Sequence, residues 1–379
     1  MKRIVLALMS FMMLSCAPKP QQTVSQPGSE LGFSLDFFSK VCSVTSAKEN
    51  VSVSPYSAGV ALSMLMEGAQ GQTRVELDNA LNGCRFTDAD MTGNDSIVLV
   101  SSNSVWLDDD FAVRNSYVNH LSKQYDALAT TLNFADPATV KAINEWCSEH
   151  TEGMIDGIIK ELTPEMVMVL VNALYLDARW ENPFKAGSTY EAVFNGAKGD
   201  SKVSFMSQKS FFNYAEYEGN QLVQLPYQGG RYSMYVLLPS KDMGVEGVAP
   251  YLTESGVKDV VAMMKPARVD LRMPKFKLEY DASLNDALMA MGVHTAFTGA
   301  ADLSGIANGP LAVSDVLQKT VVDVDEAGTE AAAVTAIIVK MTSARVEPAV
   351  QMNVNRPFYY MISDMESGRV LFIGRVMNL

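Results

Sequence analysis

The sequence predicts an α+β fold, because helical patterns fill the first 160 residues and strand patterns dominate the rest. Apolar residues recur at helical spacing over 54–68, about 117–128 and 139–162. The run 166–176 is apolar on both alternating faces and is interrupted only by Asn172. A strand of this kind is covered on both sides, so we expect it inside a large sheet.

Individual residues mark the ends of the first strong helix. Ser54 suits the N-cap, Pro55 the first turn and Gly68 the end. The segments 358–362 and 370–376 predict a C-terminal hairpin. Further strand patterns occur at 222–225, 233–238, 269–273 and 320–325.

Composition and charge exclude several classes of protein. The 379 residues are 48% hydrophobic and 19% charged, which is ordinary for a globular domain and excludes a disordered, collagen-like or coiled-coil chain. The formal charge is −13 at pH 7 without a Lys/Arg-rich stretch, so nucleic acid is not expected as a partner. The isolated histidines His120, His150 and His294 give no zinc-site spacing, and we expect no metal or cofactor.

The N-terminus is typical of an exported protein. Residues 1–15 combine a basic start with an apolar run too short for a stable membrane span, as in a secretory signal peptide. The run ends in a lipobox-like Leu-Ser-Cys, which makes Cys16 a lipidation site; the alternative is a plain signal peptide with a chance cysteine. Residues 16–30 suit a lipidated flexible tether, and 31–379, without a further spacer, is expected to be one domain. We therefore expect a membrane-anchored lipoprotein of the bacterial cell envelope, on the outer membrane or the cell surface.

The reactive side chains indicate neither a disulfide scaffold nor a catalytic centre. Cys42, Cys84 and Cys147 are odd in number and widely spaced, so at most one disulfide could form, and we expect mainly small, buried free cysteines. No G-x-S-x-G, P-loop, G-x-G-x-x-G or H-E-x-x-H motif is present. We expect no enzyme and no catalytic residues, while a hydrolase with an unmarked carboxylate pair stays open as an alternative.

The most unusual segment is 325–339, DEAGTEAAAVTAIIV. It follows a strand pattern and is rich in small side chains, with neither Gly nor Pro after Gly328. Composition alone leaves a buried helix or a buried strand open. Small residues without breakers can also enter a crowded sheet as a new strand.

Several groups of residues, taken in order along the chain, resemble the motifs of the serpin family, and the resemblance covers nearly all of 31–379. It includes the family's N-terminal signature, its central strand with the exit from that strand, a later strand and the C-terminal hairpin. The motifs are NVSVSPYS (50–57), GAQGQT (68–73), NALY (172–175), WENPF (180–184), MPKF (273–276), NRPF (355–358) and LFIGRV (371–376).

The resemblance implies three β-sheets surrounded by about eight or nine helices, with an exposed reactive loop. It further implies a covalent suicide-substrate inhibitor of serine proteases, with cysteine proteases as a further target class. The protease cleaves the loop to an acyl-enzyme, and the severed loop inserts into the large sheet before the ester hydrolyses. The implied partners are target proteases and a membrane, for a monomeric protein. The alternative within the family is a non-inhibitory binding or structural protein.

The resemblance also assigns roles to residues. The sheet-opening region would contain Ser54, Ser57, Asn172, Trp180 and Gln318. At Gln318 the family often has a histidine, and an amide can replace some imidazole hydrogen bonds but cannot titrate. The hinge of the loop would contain Glu326, Gly328, Thr329, Glu330, Ala331, Ala332, Ala333, Val334 and Thr335.

The family's spacing of about seventeen residues from the start of the hinge at Glu326 places the reactive bond between Thr342 and Ser343. Alternative bait residues are Lys340, Met341 and Arg345. Lys340 and Arg345 suit trypsin-like enzymes, whereas Met341 and Thr342 suit elastase-like or subtilisin-like pockets. The two cations are equally consistent with keeping an exposed apolar loop soluble.

Alternation from Thr329 predicts which loop side chains would face inward on insertion. Charged Glu330 and Lys340 fall on the outward face. Inserting about fifteen residues would add about fifteen backbone hydrogen bonds, each contributing about 0.5–1.5 kcal/mol. The loop is therefore competent to insert, which favours an inhibitor over a non-inhibitory relative. The uncharged inward set is Thr329, Ala331, Ala333, Thr335, Ile337 and Val339.

Overall fold

The computed structural model describes residues 28–87, 97–329 and 348–379. Within these ranges, no helix is long and apolar enough to cross a membrane. The eight described α-helices are α1 (Glu30–Val44), α2 (Pro55–Gly68), α3 (Gly71–Ala80), α4 (Asn115–Tyr125), α5 (Ala138–His150), α6 (Gly244–Val248), α7 (Glu254–Ala262) and α8 (Asn285–Ala290).

The same ranges contain fifteen strands, which form a six-stranded and a nine-stranded hydrogen-bonded sheet. The strands are β1 (Val51–Val53), β2 (Ile97–Asp108), β3 (Leu128–Leu132), β4 (Met168–Arg179), β5 (Tyr190–Gly196), β6 (Gly199–Tyr217), β7 (Asn220–Pro226), β8 (Tyr232–Leu238), β9 (Lys265–Pro274), β10 (Phe276–Ser283), β11 (Asp315–Val324), β12 (Gly328–Thr329), β13 (Val350–Asn353), β14 (Phe358–Asp364) and β15 (Val370–Val376). The order is β10-β11-β12-β4-β2-β3 in the first sheet and β1-β15-β14-β8-β7-β6-β9-β13, with β5 on β6, in the second.

The larger network consists of two sheets that share the 19-residue strand β6. The first part of β6 pairs with β5, its middle with β9 and its last part with β7. One sheet is therefore β5-β6-β9-β13, and the other contains β6, β7, β8, β14, β15 and β1. Together with the six-stranded sheet they confirm the predicted three-sheet α+β fold.

Helix α2 lies at the centre of the core, in contact with β4 of the six-stranded sheet and with β15. Every one of its residues except Glu67 is buried, as expected of a helix enclosed on all sides. Ser54 caps it by accepting a hydrogen bond from Ser57 N at 3.1 Å. Pro55 is its first residue and Gly68 its last, as predicted. The predicted buried strand is β4, and the predicted C-terminal hairpin is β14–β15.

The predicted helix over 139–162 is wrong beyond His150, where α5 ends. The chain after α5 is held as a loop by Asn144, whose Oδ1 accepts from the N–H groups of Ile158 and Ile159 at 2.9 Å each. Those isoleucines pack in the same small core as α5 and β4. Their spacing therefore reflects burial of a loop rather than helical periodicity.

The first half of the chain is less helical than predicted. The helix expected over 117–128 ends at Tyr125, because Asp126 adopts a left-handed conformation with φ of 44° and Leu128 begins β3. The long strand β2 pairs antiparallel with β4 and was not predicted. Its central Ser-Ser-Asn-Ser interrupts the apolar alternation that marks the other strands.

The three described cysteines are free thiols, as predicted. Cys84 and Cys147 are buried and Cys42 is half-buried. Burial raises the pKa of Cys42 and of Cys147 to about 11, so both stay protonated and unreactive at neutral pH.

Candidate functional site

The hinge leaves the end of β11 through a tight turn organised by Asp325. Its Oδ1 accepts from Ala327 N at 2.7 Å and from Gly328 N at 3.2 Å, and its own N–H donates to Gly328 O at 2.9 Å. The turn reverses the chain, so Gly328 and Thr329 run back as β12. The start of the predicted exposed loop therefore already lies in the six-stranded sheet.

Strand β12 fits between β11 and β4 at the end where these two strands part. Thr329 lies opposite both Val324 and Ala178, and Gly328 lies opposite Arg179. A Cβ at Gly328 would lie only 2.1 Å from Ala178 O, so only glycine fits there. The pairing is antiparallel on both sides.

Thr329, from which the predicted inward set is counted, is 1% exposed. Its Oγ1 lies 2.7 Å from Tyr227 Oη. The Tyr227 ring stacks on Trp180 with centroids 4.6 Å apart and an interplanar angle of 9°. Burial raises the pKa of Tyr227 well above its usual range, so its phenol stays neutral and bonds the threonine.

Trp180 stabilises the same turn by hydrogen bonds from its backbone N–H and its indole N–H. Its backbone N–H donates to Ala327 O at 2.9 Å, and its Nε1 donates to Asp325 O at 3.0 Å. Of the five residues assigned to the sheet-opening region, Trp180 thus lies at the hinge. Asn172 and Gln318 lie on the seam, where β4 and β11 pair directly, and Ser54 and Ser57 lie at the start of α2.

Glu326 anchors the base of the hinge by an ion pair. Its Oε2 lies 2.7 Å from Lys275 Nζ, its Oε1 accepts from Thr189 Oγ1, and its carbonyl accepts from Phe184 N at 2.8 Å. Burial alone would raise the pKa of Glu326, but the hydrogen bonds from Lys275 and Thr189 outweigh it and lower the pKa below its usual value. The same contact raises the pKa of Lys275.

At the middle of the seam, Gln318 clamps β11 to the start of α2. Its Nε2 donates to Ser54 O and its Oε1 accepts from Ser54 N, both at 2.9 Å. Two residues along β11, Thr320 Oγ1 donates to Ser52 O at 2.8 Å. Gln318 is 1% exposed, and both polar atoms of its buried amide have a hydrogen-bond partner.

Three amide side chains form a row across neighbouring strands. Asn103 of β2 lies opposite Asn172 of β4, which lies opposite Gln318 of β11. Asn172 Nδ2 donates to Asn103 Oδ1. Asn172 Oδ1 and, at the start of α2, Ser57 Oγ are among the buried side-chain atoms of the described residues that have no hydrogen-bond partner. An unpartnered oxygen on a central strand such as β4 makes the closed sheet less stable.

The structure thus brings Ser54, Gln318 and Asn172 together, with Ser57 in the cap of α2. It adds hinge partners that were not predicted: Tyr227, Lys275 and Thr189. Their contacts are long-range, and only Lys275 lies within a recognised motif. The assigned residues Glu330, Ala331, Ala332, Ala333, Val334, Thr335, Lys340, Met341, Thr342, Ser343, Arg345 and Cys16 lie outside the described residues.

Comparison with known proteins agrees with this geometry. The sequence profile of the family described as serpin (serine protease inhibitor) matches residues 29–379. An uncharacterized serpin-like protein of Thermococcus kodakarensis is 35% identical over 345 residues, which covers 87% of this chain and 80% of that protein. Iris of Ixodes ricinus is 33% identical over 370 residues, covering 92% of this chain and 98% of Iris.

Among solved structures, the thermophilic serpin tengpin in its native state matches with a TM-score of 0.85 and 31% identity, covering 92% of this chain and 93% of tengpin. The three sheets with their surrounding helices define a protein with the fold of the solved serpins. The chain belongs to the serpin family. Its members are mostly protease inhibitors rather than catalysts, and some are non-inhibitory.

We expect acidification to weaken the docking of the hinge, because it protonates Glu326. The lowered pKa means that docking is stabilised above the usual glutamate pKa, about 4.3, and loses this contribution as pH falls through the lower value of the docked state. Fluorotryptophan NMR of Trp180 should therefore shift on acidification with a midpoint below about 4.3. Glu326→Gln should abolish the transition, whereas exposed Glu181→Gln should leave it. An unchanged midpoint in Glu326→Gln would contradict the assignment.

We expect the clamp of Gln318 to stabilise the native form. Gln318→Ala leaves the buried Ser54 N–H without its partner, so the free energy of unfolding should fall by about 1–3 kcal/mol in denaturant titrations. Exposed Gln124→Ala on α4 is the matched control and should change little. Equal stability of the two variants would show that the clamp contributes nothing.

Proposed function

We propose that this serpin is a covalent suicide-substrate inhibitor of serine proteases, with cysteine proteases as a second target class. The observation that carries the proposal is β12, the start of the loop paired between β11 and β4. Family membership supports protease inhibition in general. The hinge geometry supports the specific trap, insertion of the cleaved loop into the six-stranded sheet.

Insertion of the loop would replace one ladder of backbone hydrogen bonds, between β11 and β4, by two ladders. Over 315–321 and 169–175, β11 and β4 pair directly and in parallel. A strand continuing β12 between them would break this ladder and form antiparallel ladders with both neighbours. Antiparallel pairing is slightly more stable per residue than parallel pairing, so the inserted sheet gains in the number and the quality of its hydrogen bonds.

The register of β12 predicts where each inserted residue would lie. If the loop extends β12 in the same antiparallel register, a residue two positions after Thr329 pairs two positions before Val324 on β11 and two positions before Ala178 on β4. Thr335 would then arrive opposite Asn172 and Gln318, on the inward face. Its hydroxyl would bring a donor to the row that contains the unpartnered Asn172 Oδ1.

The catalytic groups that cleave the loop are those of the protease. Its nucleophile attacks the carbonyl carbon of Thr342, the peptide bond breaks, and the new amine of Ser343 takes up a proton and leaves. The segment that begins at Ser343 stays with β13, which is held by β9. The other segment, esterified to the protease, is free to follow β12 into the sheet, and inhibition results when insertion is faster than hydrolysis of the ester.

A second function, binding without inhibition, is favoured by one cavity. An apolar space of about 410 Å³ lies between α7 and the strands β7, β8 and β14, lined among others by Leu222, Tyr235, Val260 and Met361. A cavity of this size and character suits a small apolar molecule. Cleavage of the loop by every protease tested, with no adduct, would favour this function over the trap.

A protease panel tests the trap through Thr329. Wild type should form denaturant-stable adducts and release the fragment from Ser343 to Leu379. Thr329→Arg puts a charge where the inserted strand is buried, at a cost on the order of several kcal/mol unless it is paired, so insertion should slow. The same proteases should then cut the same bond but escape, and more inhibitor should be consumed per enzyme trapped, as measured by titration and mass spectrometry.

Two variants control this experiment. Glu330→Ala changes the residue predicted to face outward and should leave the adduct yield near wild type. Thr329→Ser keeps the hydroxyl that bonds Tyr227 and should also remain inhibitory. Adduct yields equal to wild type for Thr329→Arg would contradict both the inward assignment and the insertion mechanism.

The place of action is the bacterial cell envelope, where lipid on Cys16 anchors the inhibitor at the outer membrane or the cell surface. The signal-like residues 1–15, the lipobox-like Cys16 and the polar tether support this location. There the inhibitor would protect the envelope from host or competitor proteases.

Cys16→Ala should release the protein from the membrane fraction, because the lipid thioether can no longer form. Fractionation of cells and the mass of the mature N-terminus measure this directly. Unchanged membrane recovery, together with an N-terminus that carries no acyl mass in wild type, would reject the anchor.

A further inference from the structure

One face of the β6–β9 ladder carries cations around an exposed aromatic ring. Phe211, 59% exposed, lies directly opposite Arg268, and exposed Lys209 lies opposite Asp270. Arg272 completes the set and lies 3.4 Å from Asp270. We call these five residues the β6–β9 face. Directly opposite residues of an antiparallel pair share a face of the sheet, so these side chains lie side by side.

The charge of this face is opposite to that of the whole chain. It holds three cations and one carboxylate, in a protein whose formal charge is −13. The other side of β9 is core: Val269, Leu271 and Met273 are buried. The strand therefore presents its charged side chains outward from a rigid support.

Both ends of the reactive loop border this face. The loop returns to the sheet at β13, which pairs with β9 and places Gln351 opposite Asp270. On the other side, Phe211 and Trp180 line a cavity of about 190 Å³. Trp180 is the residue that binds the hinge turn at Asp325 and Ala327. The described residues that flank the loop therefore lie on two sides of the β6–β9 face, and an enzyme gripping the loop would approach it.

We propose that the β6–β9 face is a second contact for the attacking protease, one that selects enzymes with an acidic surface beside the active-site cleft. The inference rests on the proposed function. Arginine and aromatic residues are enriched at protein interfaces, and complementary charge speeds encounter. A linear polyanion fits less well, because Phe211 occupies the centre and Asp270 interrupts the cations.

Anionic and cationic trypsin provide the test, because both would attack the loop at the alternative bait residues Lys340 or Arg345 and they differ in surface charge. The variant Lys209→Gln/Phe211→Ala should form adducts with anionic trypsin about tenfold more slowly than wild type at low salt, and the difference should shrink at high salt. With cationic trypsin the rates should agree within about twofold. Lys123→Gln on α4 removes one charge far from this ladder and should change neither rate. Stoichiometry should be unaffected, because insertion is untouched.

The rate of loop cleavage separates this inference from the proposed function. If wild type is cut without forming an adduct, the trap fails, yet a slower cut in the variant still supports the second contact. Equal rates of attack on wild type and variant by anionic trypsin overturn it. Binding of anionic trypsin whose nucleophilic serine is replaced by alanine is measured in parallel, and equal or absent binding to wild type and variant also overturns it. So does binding of heparin to this face together with unchanged protease rates.

Discussion

The direct pairing of β11 with β4 is the constraint on which the rest of this structure depends. These strands are parallel neighbours over most of their length, yet at one end both already pair with β12. Under the proposed insertion, this one parallel ladder would be replaced by two antiparallel ladders, which are slightly stronger per residue. The closed sheet would then not be the best-paired arrangement available to the sequence.

The polar side chains along the seam brace its two sides separately. Gln318 bonds to Ser54 at the start of α2, and Asn172 bonds to Asn103 on β2. These bonds point away from the seam on both sides, so separating β11 from β4 need not break them. The unpartnered Oδ1 of Asn172 lies at the same level. A polar group left unsatisfied in the closed sheet lowers the barrier to opening, because part of its cost is already present.

Local chemistry explains which parts of the fold the sequence predicts. Ser54, Pro55 and Gly68 mark α2, and the uninterrupted apolar run marks β4, because capping and two-sided burial act on neighbouring residues. The family motifs added the hinge and the sheet-opening residues. The loop after His150 was predicted as helix, since burial against β4 imposes a helix-like spacing.

The partners of the hinge could not be predicted, for a different reason. Thr329 and Tyr227 are separated by 102 residues, and their hydrogen bond exists only because the chain after β7 bridges to Trp180, just beyond the end of β4 that pairs with β12. Glu326 and Lys275 meet in the same way. No local pattern in one sequence encodes such pairs.

In the proposed inhibition, the docked hinge would prepare the sheet for insertion while its own contacts stay intact. Glu326 and the turn bound by Trp180 precede β12 in the chain, so loop residues beyond Thr329 can extend the strand while these contacts remain intact. The first pairs of the new ladders are formed before any bond is cut, and extending an ordered strand fixes only the residues being added. Docking of β12 also shortens the exposed loop. At about 3.3 Å per residue, its two residues take about 7 Å from the length that a protease can bind. A second contact beside the loop would offset that loss in the rate of encounter, and a preformed start to the strand would shorten the time in which the ester must survive.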